Sequence, residues 1–164
     1  MNPLEVPLFL ATFLCSLVAG FLFAFAVVVM AGLRSLDDRA FVRAFQVMDR
    51  VIQNNQPIFV AVWAGSVIAL IAAALFGFRQ LQGGEWWLLF GTVLTYLLGV
   101  QLTTFTINVP LNNRLQSLDV DALDDARLQQ ERTGFEGRWV RWNLSRTVWS
   151  SLVSLSLILL SLRV

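Results

Sequence analysis

Residues 6–33 read VPLFLATFLCSLVAGFLFAFAVVVMAGL, 28 positions without one charged side chain. Two more such runs follow, 51–78 and 86–113, each again 28 residues long. A membrane-spanning helix needs about 20 mostly apolar residues at ~1.5 Å rise. Each run holds such a core, at about 7–30, 58–78 and 86–107. A fourth run, 147–162, has only 16 uncharged residues, about 24 Å of helix against a hydrocarbon core of ~30 Å. The fourth span, placed at about 142–162, is therefore expected to begin early, near Trp139, with Arg146 reaching toward the headgroups. The first run lacks a basic leader and is too long for a signal peptide, so it reads as an uncleaved span.

Composition agrees. The 164-residue chain is 57% hydrophobic and 14% charged, against roughly 45–50% apolar and 25% charged in soluble domains. The expected fold is all-α: one transmembrane domain, 1–164, as a four-helix bundle, with cytoplasmic segments 34–56 and 110–141. Arg34, Arg39, Arg43 and Arg50 lie in the first of the segments joining the spans, and Arg114, Arg127, Arg132, Arg138, Arg141 and Arg146 in the second. Only Arg79 and Arg163 fall on the other side. This asymmetry puts both segments in the cytoplasm and both termini outside the cell membrane.

Several functions are excluded at once. The net charge is +1 and there is no Lys, so nothing marks a nucleic-acid face. There is no His, which removes His-ligated metals and His-activated nucleophiles. Cys15 is single, so no intrachain disulfide forms. No metal or cofactor is expected. The first three spans carry no Asp, Glu or Arg at mid-depth, which argues against an ion-coupled carrier. Neutral, mostly apolar molecules and membrane lipid are the natural ligands.

Between spans one and two, Ser35-Leu36-Asp37-Asp38 matches a capping box. Phe41, Phe45, Met48 and Ile52 then recur at helical spacing, which predicts an amphipathic helix at the membrane surface or over the bundle mouth. Residues 117–131 read as a short solvated helix, with Gly134 and Gly137 as flexible points. Small residues four apart on span two, Ala61, Gly65, Ala69, Ala73 and Gly77, with Ser16, Gly20 and Ala24 on span one, permit close packing or a homo-oligomer.

Polar candidates cluster at the cytoplasmic ends. On span three, Thr92, Tyr96, Gly99, Thr103 and Thr106 share a face that is either interhelical hydrogen-bonding surface or the wall of a pocket. Pro110 is expected to end that helix, with Asn108, Asn112 and Asn113 satisfying the freed backbone groups. Trp139, Asn143, Arg146 and Ser150 share one face of span four; Trp142, Arg146 and Trp149 share the next. An arginine beside indoles can bind an anion or an enolate-like oxygen, or simply belong to an aromatic belt with helix capping.

The stretch Asn108-Val-Pro-Leu-Asn-Asn-Arg-Leu115, followed by Trp139-x-x-Trp-Asn-x-x-Arg146, resembles the signature of the anthrone-oxygenase-like family of small four-span membrane proteins. Gly32-Leu33, Phe41, Gln46 and 54–59 are similar to that family's first cytoplasmic segment. The resemblance implies a hydrophobic aromatic or quinone-like ligand and cofactor-free oxidation of an acidic ring methylene by O₂. In that reading Arg146 offsets an oxyanion while Asn108, Asn112 and Asn143 donate hydrogen bonds to it. Trp139 and Trp142 stack on the substrate, with Tyr96, Thr103 and Asn113 as further binding positions. The chain offers no obvious general base, Tyr96 and the loop carboxylates being poor candidates. Three classes stay open: a membrane oxygenase, a non-catalytic module binding a lipid or small molecule, and an accessory subunit.

Overall fold

The computed structural model describes residues 3–164, so the first two positions of the 1–164 domain lie outside the described residues. Those described form five helices and no strand. They are α1 (Glu5–Arg34), α2 (Asp38–Gln53), α3 (Pro57–Gln80), α4 (Gly83–Gln116) and α5 (Asp125–Ser161). Helices α1, α3, α4 and α5 are each long and apolar enough to cross a membrane. Their outer faces carry Phe9, Val28, Ile58, Ile68, Leu75, Phe78, Leu98 and Leu155, all largely exposed. An apolar belt of this extent suits lipid as its solvent.

Helix α1 is the central element. It packs along both α3 and α5, while α4 packs on α5. The second half of the small-residue stripe on α3 is buried: Ala69, Ala73 and Gly77 face inward. A Cβ at Gly77 would stand 2.6 Å from the Leu89 side chain, which would have to shift, so glycine suits the close approach of α3 and α4 there. Gly20 does not share this role, because it is exposed with nothing near it. The hydroxyls of α4 mostly turn back on their own helix rather than cross to a neighbour. Thr92, Thr104 and Thr106 donate to the carbonyls of Leu88, Val100 and Leu102. Two bonds do cross from α3: Ser66 pairs with the Tyr96 hydroxyl at 2.6 Å, and Trp63 Nε1 donates to Gln101 Oε1 at 2.9 Å. Toward the connecting segments α3 and α4 separate, and a space opens between them.

Pro110 does not end α4, which continues to Gln116. The backbone just before it is already widened to π-type turns over Thr104–Asn108, with the Val109 N–H bonded to the Thr104 carbonyl. A ladder re-spaced in this way absorbs the donor that proline lacks. Helix α1 carries a similar widened turn at Phe25–Val29. Residues 117–124 form a loop rather than a solvated helix, and α5 then runs unbroken through Gly134 and Gly137. These glycines are helical, and no flexible point interrupts the fourth helix.

Helix α2 opens on a different residue from the one its sequence suggests. Asp37, not Ser35, accepts from the N–H of Ala40 at 2.8 Å; Ser35 instead bonds back to the Gly32 carbonyl. The helix lies across the bundle mouth, with Phe41 and Phe45 packed edge-on to Phe135. Ion pairs tie it to α5 and to the loop before α5: Arg39 with Asp125, Arg43 with Asp121 and Arg132 with Asp38; beside them Arg34 of α1 pairs with Glu136 of α5. Both arginine-rich segments therefore gather at one end of the bundle.

Arg132 is the hub of that end. It donates to the carbonyls of Arg34 and Leu36 and to Asp38 and Glu136, and its guanidinium lies 4.4 Å over the Phe41 ring. Arg132→Ala leaves partly buried acceptors unpaired, a cost of about 1–3 kcal/mol. The expected result is a lower melting temperature in detergent, with faster hydrogen exchange confined to α2 and the loop before it. Unchanged exchange in α2 contradicts this role.

Candidate functional site

Where α3 and α4 diverge, a cavity of about 200 Å³ opens under α2. That is somewhat below the roughly 300–1,000 Å³ usual for ligand pockets. All five helices contribute to it. Phe21, Leu22 and Phe25 come from α1, Phe59 and Trp63 from α3, and Thr104, Phe105, Asn108 and Asn112 from α4; Trp139, Asn143 and Arg146 come from α5. Phe45, Met48, Asp49 and Ile52 of α2 form its lid. The widened turns of α1 and α4 both border it, in keeping with the tendency of π-type turns to occur at functional sites. Phe105 lines the cavity and is also exposed on the outer surface, so one side of the space faces the lipid.

The chemistry of the wall is set by Arg146. Its guanidinium does not rise toward the headgroups; it is buried and turned inward. Nη1 donates to Thr104 Oγ1 at 2.9 Å, Nη2 donates to Asn143 Oδ1 at 2.9 Å, and Nε has no partner. Neither partner is charged, and among the described residues no carboxylate pairs with it. A buried cation without a counterion costs several kcal/mol, and an anionic ligand placed beside it removes that cost. The Trp139 ring stands 6.0 Å from the guanidinium. It is held by Phe25, Phe45 and Phe135, and its Nε1 donates to Asn112 Oδ1 at 2.7 Å. Asn143 also donates to the Leu22 carbonyl at 3.1 Å, which fixes the side chain that holds Arg146. The buried Asn108 Oδ1 has no partner.

The structure thus brings together Arg146, Asn143, Asn108, Asn112 and Trp139. The other candidates fall outside this cavity. Trp142 and Thr103 border a shallow groove on the outer face of the α4–α5 pair, together with Trp149. Helical phase decides this: the face of α5 that turns inward is the one carrying Trp139, Asn143, Arg146 and Ser150. Tyr96 is in the core against Ser66, and Asn113 is exposed and accepts from Gln53.

The most consequential cavity residue that sequence reasoning missed is Asp49. Asp49 of α2 is buried, and its carboxylate accepts three neutral donors: Asn112 Nδ2 at 2.8 Å, Gln53 Nε2 at 2.6 Å and Gln116 Nε2 at 3.3 Å. Burial pushes its pKa above the usual carboxylate range, and the three amide bonds only partly oppose that shift. A signal was present in the sequence. Asp49 stands four residues after Phe45 and eight after Phe41, on the apolar face of its helix. Phe59 and Trp63, four apart at the start of α3, also line the cavity without having been singled out as site residues.

Residues 45–156 match the family model described as anthrone oxygenase. The matched region contains Asp49, Asn108, Asn112, Trp139, Asn143 and Arg146. No curated protein and no solved structure matches the chain.

Proposed function

The chain belongs to the anthrone oxygenase family, and from that premise we propose that the cavity under α2 takes up a flat, enolisable aromatic ketone from the membrane and holds its enolate for oxidation by O₂. The observation that carries this reading is Arg146: a buried guanidinium, unpaired at Nε, in the wall of a mostly apolar cavity. An enolate oxygen supplies the missing charge, and stabilising that charge lowers the barrier to forming the electron-rich species that reacts with O₂. The Asn143 and Thr104 oxygens aim the guanidinium without neutralising it. Trp139 offers a fixed ring face to the substrate. The electron-rich enolate itself reduces O₂, so the chemistry needs no resident cofactor. The arginine content of this end of the bundle supports placing it on the cytoplasmic side of the cell membrane.

The test is oxidation of anthrone in air by protein in detergent or nanodiscs. Quinone should form faster than in protein-free micelles. Trp139→Ala should lower the rate about tenfold, the loss of one good aromatic contact, whereas Trp142→Ala, outside the cavity, leaves it near wild type. Quinone formation no faster than in empty micelles overturns the reading. Anthrone that binds, quenching tryptophan fluorescence, yet never turns over favours the non-catalytic binding module, for which the same cavity speaks.

A further inference from the structure

A cation without a counterion explains how an enolate is held, but not how it arises. Among the described residues, the only carboxylate lining the cavity is Asp49, which reaches it from the lid helix while Arg146 reaches it from α5. The two form no ion pair, although they border one space. Every hydrogen-bond partner of Asp49 is a neutral amide from α2 or α4. Arginine partners would have held the carboxylate as a weak base; neutral amides orient it at a smaller cost in basicity. Buried carboxylates elsewhere at this end are different: Glu131 is clamped by Arg114 and Arg127.

We propose that Asp49 is the general base, taking a proton from the activated ring methylene of a substrate whose carbonyl oxygen lies against Arg146. This rests on the functional reading above. The carboxylate takes one methylene proton, and the C–H electron pair becomes the enolate. The enolate passes one electron to O₂ and combines with the superoxide formed, making a C–O bond. The resulting hydroperoxide anion takes the proton back from the Asp49 carboxylic acid. The hydroperoxide then loses water: its remaining C–H and its O–O bond break and a C=O forms. The sum is CH₂ + O₂ → C=O + H₂O, with Asp49 returned as carboxylate. Burial, which raises its proton affinity, suits it to remove a proton from a weak carbon acid.

The experiment removes oxygen and follows the first step alone. Anthrone is incubated anaerobically in D₂O with detergent-solubilised protein, and deuterium entry at the methylene is read by NMR. Wild type should exchange faster than protein-free micelles. Asp49→Asn should fall by about 10²-fold or more while still binding anthrone by tryptophan quenching. Asp49→Ala should regain exchange when formate is added. Wild type that oxidises anthrone in air without accelerating exchange overturns the proposal, whether or not either variant folds. So does a folded Asp49→Asn that exchanges at the wild-type rate. In both cases the oxygenase reading survives; it fails separately if wild type neither binds nor oxidises anthrone.

Discussion

Arg146→Met lowers anthrone oxidation by about 10²–10³-fold, the usual loss when one oxyanion-stabilising donor is removed, and leaves the melting temperature in detergent equal to or above that of the wild type. The two halves of this result come from the same feature. A guanidinium in the cavity wall, bonded only to Thr104 and Asn143, carries a desolvation cost that no carboxylate offsets. Methionine fills a similar length with polarisable apolar atoms. Thr104 keeps its bond to the Val100 carbonyl, so one acceptor, Asn143 Oδ1, is stranded at a cost of about 1–3 kcal/mol. Against that stands the relief of a buried charge, of several kcal/mol. A residue kept at a cost to stability and needed for turnover is serving the ligand. Arg146→Lys, which keeps the charge but loses the planar fork, should retain part of the rate. If Arg146→Met instead unfolds the protein, the side chain is a structural strut and the ligand reading loses its main support.

The four crossings were legible because lipid is a demanding solvent. A charge-free run of 28 residues has few alternatives to a spanning helix. The inward face of α5 was legible for a similar reason, since Trp139, Asn143, Arg146 and Ser150 follow helical spacing through an apolar run. Trp142 was harder to place. It sits four residues before Arg146, an equally good neighbour by spacing, and only the bundle's own geometry decides which tryptophan faces in. Pro110 misled because widened turns leave no mark on a sequence. They arise where tertiary packing re-spaces the backbone ladder, and a proline inside one is harmless. Asp49 is hidden among the other charges of an amphipathic helix, Asp38, Arg43 and Arg50, which lie on its outer or ion-paired face. Its difference lies in its phase on that helix and in three amides, two of them contributed by α4, more than sixty positions away in the chain.

Asn143 gives the sharpest separation between charge and shape. It is a neutral acceptor 2.9 Å from Arg146 Nη2, so it orients the guanidinium and leaves its charge available. Asn143→Asp changes one atom and places a carboxylate there. A charge pair at 4 Å is worth about 4 kcal/mol at an effective dielectric of 20, enough to quench most of the attraction for an anionic ligand. The expected outcome is a folded protein whose affinity for an anthrone enolate or another phenolate falls roughly 10²-fold, about 2.7 kcal/mol. The lost donor to Leu22 has little effect on folding, because that carbonyl also accepts a backbone N–H from Phe25. Titrating tryptophan quenching with a hydroxylated anthraquinone at a pH where it is ionised, and again where it is neutral, reads this directly. The variant should lose the preference for the ionised form and keep binding to the neutral one. Equal preference in Asn143→Asp and wild type means that recognition rests on the aromatic walls alone, and that the enolate is not the species the cavity is built to hold.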